Sequence, residues 1–478
     1  MQTLKKNSVL LFLGLFYVSI CCFFIWTDQI YFTLSSFGLI AIYFAIFNTE
    51  YTFLGLAFFT PLSINIEEYT NDFGLFIPTE PILFGLLLFL LMQVINKNLL
   101  HKYIWRNPII LAVGFYLFWI LISSMTSSSP IVSFKFLLAK IWYIIPLLIF
   151  GTKVFMNPKN IKRFIWLFVL SICIVIIYTV IIHAQYNFGE KEGHWVMWPF
   201  FKDHTIYGAT VAFTVPLVFA LYFSKKHDLL IKISIISMII ISSIGLYFSY
   251  SRAAWLSVIL ALIILSIIKL KIKLHFLLAL SILALTIVFL SWDKINMELE
   301  RNKYEHTTLE FGEKIKSATN ITTDASNLER LNRWNCAIEM FKKRPIFGFG
   351  PGTYAFEYAK FQHPNNKTII STNFGTAGNA HSEYLGPLSE TGIVGFLSFL
   401  VIVFTIFYKG IKLYYAWPIE DIEMKTIILS MIVSLSTYFI HGILNNYLDT
   451  DKASIPIWVF CASFIALEQY NKVKLKET

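Results

Sequence analysis

The feature that most constrains this chain is a series of apolar runs about 20 residues long, separated by short breaks that carry lysine. A helix rises about 1.5 Å per residue, so a run of about 20 residues spans the roughly 30 Å hydrocarbon core of a bilayer. Inside that core backbone N–H and C=O groups have no water to bond, and an uninterrupted helix satisfies them within itself. Such runs lie near 8–26, 29–47, 51–66, 78–95, 108–125, 134–151, 162–184, 204–224, 229–248, 252–269, 274–292, 386–408, 425–444 and 454–470. The expected fold class is all-α: a polytopic transmembrane helix bundle of about 12–14 spans with one long loop carrying short helices. Composition agrees: 14% of residues are charged, against about 25% in a soluble domain.

The net charge of +10 would suit a nucleic-acid partner if the basic residues formed one surface. They do not; they fall in short clusters between apolar runs, as topology signals do, so no nucleic acid is expected. With the N-terminus in the cytoplasm, twenty Lys and Arg fall on cytoplasmic segments; four (Lys191, Lys202, Arg252, Lys452) fall on short outer loops. This asymmetry predicts an inner (cytoplasmic) membrane protein with both termini cytoplasmic and segment 293–385 outside, in the periplasm. The chain divides accordingly into helices over 1–292, the long loop 293–385, and helices over 386–478. Lys5 and Lys6 precede the first run as in a signal peptide, but no small-residue cleavage site follows, so the run reads as a retained helix.

Within the long loop, 296–327 is polar and without pattern. From Leu328 an amphipathic helix is expected, with Leu328, Leu331, Trp334, Ile338 and Phe341 on its apolar face. The string GFGPG at 348–352 lacks the GK[ST] that completes a phosphate-binding loop, and reads as a turn. A second short helix is expected at 353–361. The five cysteines form no CxxC pattern or disulfide framework, and no GxSxG or HExxH motif occurs. No metal and no cofactor is expected.

Charged groups in or at the edge of a bilayer are costly and tend to be functional. Here they gather at the outer ends of the runs: Lys135 and Lys140; Asp203, His204 and Tyr207; Arg252; His381 and Glu383; and His441, Asn445, Asn446, Asp449 and Asp451. Arg330 and Arg333 lie on the loop covering this face. Lys135 is read as snorkelling to water and His183 as a satisfied structural residue.

Two stretches carry a family resemblance: ERLNRWNCAIEMFKKRPIFGFGPGTY at 329–354 and AHSEYLGPLSETGIVGFLSFL at 380–400. Their order (Arg330 before Trp334, the turn from Pro345 to Gly350, His381 to Leu385, then Thr391 to Gly395) resembles the O-antigen ligase and O-antigen polymerase superfamily. SRAAWLS at 251–257 and FFKDHTIYGA at 200–209 resemble its upstream segments, so the related region is about 200–400. The resemblance implies a helical glycosyltransferase that uses neither nucleotide nor metal. Such enzymes take a glycan from a polyprenyl-pyrophosphate carrier on the periplasmic face. Ligases pass it to the lipid A core, polymerases to another repeat unit, and relatives to protein. Arg252 and Arg330 occupy the places of the family arginines. With Arg333 and Lys140 they are expected to hold the pyrophosphate, since a guanidinium fork binds phosphate oxygens in pairs. His381 is expected to take the acceptor's proton. The family pattern His-Asn-x-Tyr-Leu reads His-Ser-Glu-Tyr-Leu here, which places the acid Glu383 beside it as a second catalytic candidate. Asp203, His204 and His441 are secondary candidates.

The expected function is therefore an inverting, O-antigen ligase-type glycosyltransferase working among membrane lipids. The alternatives are a repeat-unit polymerase of O-antigen or exopolysaccharide and a protein O-oligosaccharyltransferase. A polysaccharide transporter or flippase is the non-enzyme alternative, disfavoured by the lack of repeated halves.

Overall fold

The computed structural model describes residues 15–27, 43–44, 47–67, 74–95, 102–273, 276, 286, 290, 325–364 and 378–477. The expected spans at 29–47 and 274–292, except for a few positions, and the loop start at 296–324 lie outside them. Among the described residues the chain is helical, with connecting turns, apart from an antiparallel pair of two-residue strands, β1 (Ile64–Asn65) and β2 (Phe76–Ile77), in which Ile64 faces Ile77.

Among the described residues, nine helices are long and apolar enough to cross a membrane. They are α5 (Pro108–Met125), α6 (Pro130–Val154), α7 (Pro158–Gln185), α8 (His204–Phe223), α9 (Leu229–Tyr247), α10 (Arg252–Lys269), α13 (Leu385–Ala416), α14 (Ile422–His441) and α15 (Asp451–Glu477). The shorter α1 (Leu15–Trp26), α2 (Thr49–Leu62), α3 (Thr79–Ile95) and α4 (Lys102–Trp105) precede them. The run expected to span at 51–66 forms α2, of 14 residues. At about 1.5 Å per residue it reaches only some 21 Å, short of a bilayer core. The chain then turns at Ser63 into the strand pair.

Helix starts are marked by capping side chains, because the first N–H groups of a helix lack partners within it. Asn107, Asn157, Asp203, Ser251 and Asp421 each accept a backbone N–H at the start of α5, α7, α8, α10 and α14. Helices α14 and α15 form the centre of the bundle, each 83% buried, while α9 and α10, at 17% and 22%, leave their apolar side chains on the outer rim. Contacts across the bundle join the segments that connect its helices: Ser128 with Phe349, Gly350 with Glu390, Glu383 with Gly442, Thr205 with Tyr447, His194 with His204 and Tyr250 with Phe188. The starts of α6, α8, α10, α13 and α15 and the ends of α5, α7, α9 and α14 therefore share one end of the bundle, here called the loop end.

The loop over that end contains α11 (Ala325–Lys343), α12 (Tyr354–Glu357) and a 3-10 turn (Tyr358–Phe361). The expected helix from Leu328 is present, but its buried stripe is not the expected one. Asn332, Arg333, Cys336, Ala337 and Met340 face inward, and Ile338 stands 37% exposed. The loop's own small core explains this: Cys336, Ala337 and Met340 pack on Phe349, Tyr354, Tyr358 and Ala380. That core is built from small and aromatic residues, and it takes the face opposite the larger aliphatics.

The glycine string docks onto α13 backbone to backbone. Phe349 N–H donates to Ser389 O at 3.1 Å, Gly350 N–H to Glu390 O at 2.8 Å, and Ile393 N–H to Pro345 O at 2.8 Å. A Cβ on Gly348 would lie 2.3 Å from the Glu390 carbonyl, and one on Gly392 2.1 Å from Ile346 O. Both glycines have positive φ, so only glycine fits by either criterion. Gly392 is also the non-helical residue that kinks α13. On the far side, Ser128 N–H and Ser133 Oγ donate to Phe349 O and Pro351 O. The GFGPG string is thus a turn wedged between α13 and the α5–α6 corner.

Candidate functional site

Asp203 caps α8 through Oδ1, which accepts the N–H groups of Thr205 (2.7 Å) and Ile206 (3.1 Å) and the Thr205 hydroxyl. That hydroxyl also meets the Tyr447 phenol, which ties the start of α8 to the segment 442–450. His204 stacks on His194, with ring centroids 4.1 Å apart and planes 14° from parallel. Arg252 opens α10 beside its cap Ser251, at a corner packed so closely on α8 that a Cβ on Gly208 would lie 2.8 Å from Ser251 Cβ.

His381 is held by its backbone. Its φ is +48°, its N–H donates to Asn379 Oδ1 at 3.0 Å, and its carbonyl accepts from Trp334 Nε1 at 3.4 Å. The ring is half-buried in the field of Arg333, Arg330, Glu329 and Asp203. Burial, reinforced by Arg333 and then Arg330, holds its pKa down at about 4, with Glu329 and Asp203 pulling the other way. The imidazole is therefore neutral at neutral pH. Arg330 acts on His204, His441 and Tyr447 as well as on His381, and Asp203 acts on the same four. Five of the expected site residues, Asp203, His204, Arg330, His381 and His441, are thus electrostatic neighbours. His441, at 1% exposure, has no hydrogen-bond partner on either ring nitrogen. Asn445 Nδ2 and Asn446 Oδ1 beside it are also buried without partners.

The other expected residues are placed differently. Arg333 is buried in the loop, where Nε donates to Glu329 at 2.8 Å, a terminal nitrogen donates to Asn379 O at 3.1 Å, and the guanidinium lies over Tyr358. The Glu383 carboxylate is taken up by α14 and segment 442–450. Its Oε1 accepts the Tyr438 hydroxyl (2.5 Å) and the N–H groups of Tyr447 (2.6 Å) and Leu448 (2.8 Å). Burial raises its pKa, and Asp449 adds to this against the opposing pull of Lys140. Lys140 pairs with Asp449 at 2.5 Å and donates to Leu448 O at 3.2 Å, so it holds the same segment from the other side. Lys452, counted by charge pattern among the outer-loop residues, is buried inside α15.

Glu329, Asn379, His194 and Tyr447 were missed in the sequence. Glu329 stands four residues before Arg333, the spacing of a helix ion pair, so that contact was readable. Asn379 stands two residues before His381 and accepts its N–H locally, while His194 and Tyr447 meet the site only through tertiary packing. Among the described residues, no group of three or more His, Cys, Asp or Glu side chains is placed to hold a metal ion.

Residues 235–400 match the family described as O-Antigen ligase. No curated protein matches the chain. The matched stretch takes in α10, the loop helix α11, the glycine turn, His381 and the first half of α13, which are the parts carrying Arg252, Arg330 and His381. Nine helices long and apolar enough to cross a membrane among the described residues make the chain a multi-pass membrane protein, and a region similar to the O-antigen ligase family lies at one end of its bundle.

Proposed function

We propose that the chain is an inner-membrane glycosyltransferase of the O-antigen ligase type. It takes a glycan from a polyprenyl-pyrophosphate carrier and joins it to the lipid A core on the periplasmic face. The observation that carries this reading is the setting of Arg330: a guanidinium among three histidines and a carboxylate, where His441 has two buried, unpartnered ring nitrogens. Buried polar atoms are ordinarily paired, so such a concentration fits a polar ligand.

In the proposed reaction the acceptor hydroxyl oxygen attacks the anomeric carbon. The bond from that carbon to the pyrophosphate oxygen breaks, and its electron pair leaves with the polyprenyl pyrophosphate. The acceptor's proton passes to the free nitrogen of neutral His381. One direct displacement inverts the anomeric configuration. Arg330, joined by Arg252 from the start of α10, stabilises the charge that develops on the leaving group, a role worth about 3–4 kcal/mol per donor in other enzymes. These two arginines supply the charge that a metal ion supplies elsewhere, so the reaction needs none. Arg333 fixes α11 through Glu329 and Asn379 and adds to the positive field at His381. Glu383 and Lys140 set the position of segment 442–450, which carries Tyr447.

The test is the surface lipopolysaccharide of the source bacterium with this gene deleted, separated on a gel. Bare core without polymer supports the ligase. Core capped by a single repeat unit would instead identify a polymerase, and an unchanged ladder would sink both readings.

A further inference from the structure

At the end of the bundle opposite the loop, a pocket of about 450 Å³ opens between the start of α5 and the last turns of α13 and α15. Its charged lining is Arg106, Lys409, Lys472 and Glu468. We propose that this pocket binds the headgroup of an anionic phospholipid, best one carrying two phosphates.

Three cations against one carboxylate leave the lining with a net positive charge. The carboxylate organises the wall. Lys409 Nζ donates to both Glu468 oxygens (2.8 and 2.7 Å), Lys472 Nζ to Oε1 (2.9 Å), and Asn107 Nδ2 to Oε2 (3.4 Å). Asn107 is itself fixed, because its Oδ1 caps α5 at Ile109 N–H, 3.0 Å away. Lys409 and Lys472 are therefore tied to Glu468 beside the opening, and Arg106 stands exposed at its rim.

Depth argues for a lipid over a soluble anion. Lys409 stands seven residues, about 10 Å, before Ala416, the end of the 32-residue α13, a helix that overhangs the roughly 30 Å hydrocarbon core by about 9 Å at each end, so Lys409 lies near the level of the lipid headgroups. Trp105, next to Arg106 and 53% exposed, has the amphipathic character of a residue at the membrane–water interface. Basic pockets between spanning helices at this level suit lipid phosphates, each nearby cation being worth about fivefold in binding. The proposal rests on the membrane-spanning fold and is independent of the glycosyl-transfer reading.

The experiment is native mass spectrometry of the full chain purified in detergent, titrated with diphosphatidylglycerol or with zwitterionic phosphatidylcholine. Diphosphatidylglycerol should bind about tenfold more tightly or better. The preference should fall to near parity in an Arg106→Gln, Lys472→Gln double variant, whose substituted side chains are exposed and leave the Lys409–Glu468 pair intact. Equal binding of the two lipids by the wild type would overturn the proposal, and so would a preference that survives in the variant. Displacement of the bound lipid by millimolar inorganic phosphate would assign the pocket to a soluble anion instead.

Discussion

Two polar clusters share the loop end of the bundle, and they differ in what their groups are doing. In the first, around α15, Lys452 Nζ donates to Thr60 O and Ser63 O at 2.7 Å each and to Ser63 Oγ at 2.5 Å, which closes the C-terminal carbonyls of α2. Asp451 Oδ2 accepts the hydroxyls of Ser63 and Thr79, and Glu383 Oε1 accepts three donors. In the second, around Arg330, both nitrogens of His441 are unmatched and the His381 ring stands half-buried between arginines. A buried charge is tolerated where hydrogen bonds and counter-charges surround it. The first cluster uses its charges to fasten helices and leaves Asp451 Oδ1 unmatched, while the second leaves more capacity open, on both His441 nitrogens, Asn445 Nδ2 and Asn446 Oδ1. Charge inside a membrane bundle does not by itself mark catalysis, and the proposed site is the cluster with the greater unmatched capacity.

His381→Ala should break the second cluster with the largest effect: a loss of two to four orders of magnitude in glycan transfer, in the usual range for a general base, with an unchanged melting temperature. Full transfer by the variant would remove His381 from the mechanism. The pH dependence sharpens this. His381 accepts a proton only when neutral, and its pKa of about 4 lies below the ordinary value of about 6.5. For the free enzyme the acid limb set by this group therefore lies near pH 4. A bound pyrophosphate would offset the field of Arg330 and Arg333 and move that pKa upward. The limb in kcat should then lie at higher pH than the limb in kcat/KM, and coincident limbs would contradict the placement of the donor beside these arginines.

Lys452→Met should show the opposite pattern. It leaves Asp451 without its neighbouring cation and removes the donor shared by Thr60 O, Pro61 O, Ser63 O and Ser63 Oγ, which costs on the order of 3–5 kcal/mol of stability. Thermal unfolding in detergent should show a clear fall in Tm, with transfer per folded molecule retained. A stable but inactive Lys452→Met protein would mean that the first cluster also does chemistry.

Arg330→Lys keeps the charge and loses the planar fork. Transfer should fall by about a hundredfold at constant Tm, measured as kcat/KM with a lipid-linked donor. Arg333→Lys should instead lower Tm, because Nε and a terminal nitrogen are both committed to Glu329 and Asn379.

Much of this arrangement was legible in the sequence, for identifiable reasons. The spans at 204–224 and 252–269 reappear as α8 and α10 within a few residues, because length and apolarity suffice to specify a crossing helix. The motif order around Arg330 and His381 anticipated that the two would meet. The clasp between 345–350 and 389–393 left no side-chain pattern to read, since it is made by backbone groups on glycine-bearing turns. The inward stripe of α11 was missed because the loop core accepts Cys336, Ala337 and even Arg333, and leaves the larger Ile338 exposed. Nor does the sequence distinguish His441 from Lys452: both are polar residues at helix ends, and only their neighbours separate them.

Glu383 is the residue on which the comparison turns most finely, because it stands two positions from His381 and belongs by its contacts to the first cluster. Glu383→Ala would leave the Tyr438 hydroxyl and the N–H groups of Tyr447 and Leu448 without an acceptor, at about 1–3 kcal/mol for each such group. Glu383→Gln keeps an acceptor oxygen there and removes a carboxylate that burial already disfavours in its charged form. If the residue positions segment 442–450, the glutamine variant should lie within about 1 kcal/mol of the wild type in stability and keep transfer within roughly tenfold, while the alanine variant falls in both. If the carboxylate instead moves a proton, glutamine should be as inactive as alanine despite a normal Tm. Glu383 would then join His381 in the chemistry, and the boundary between the two clusters would run through segment 442–450 itself.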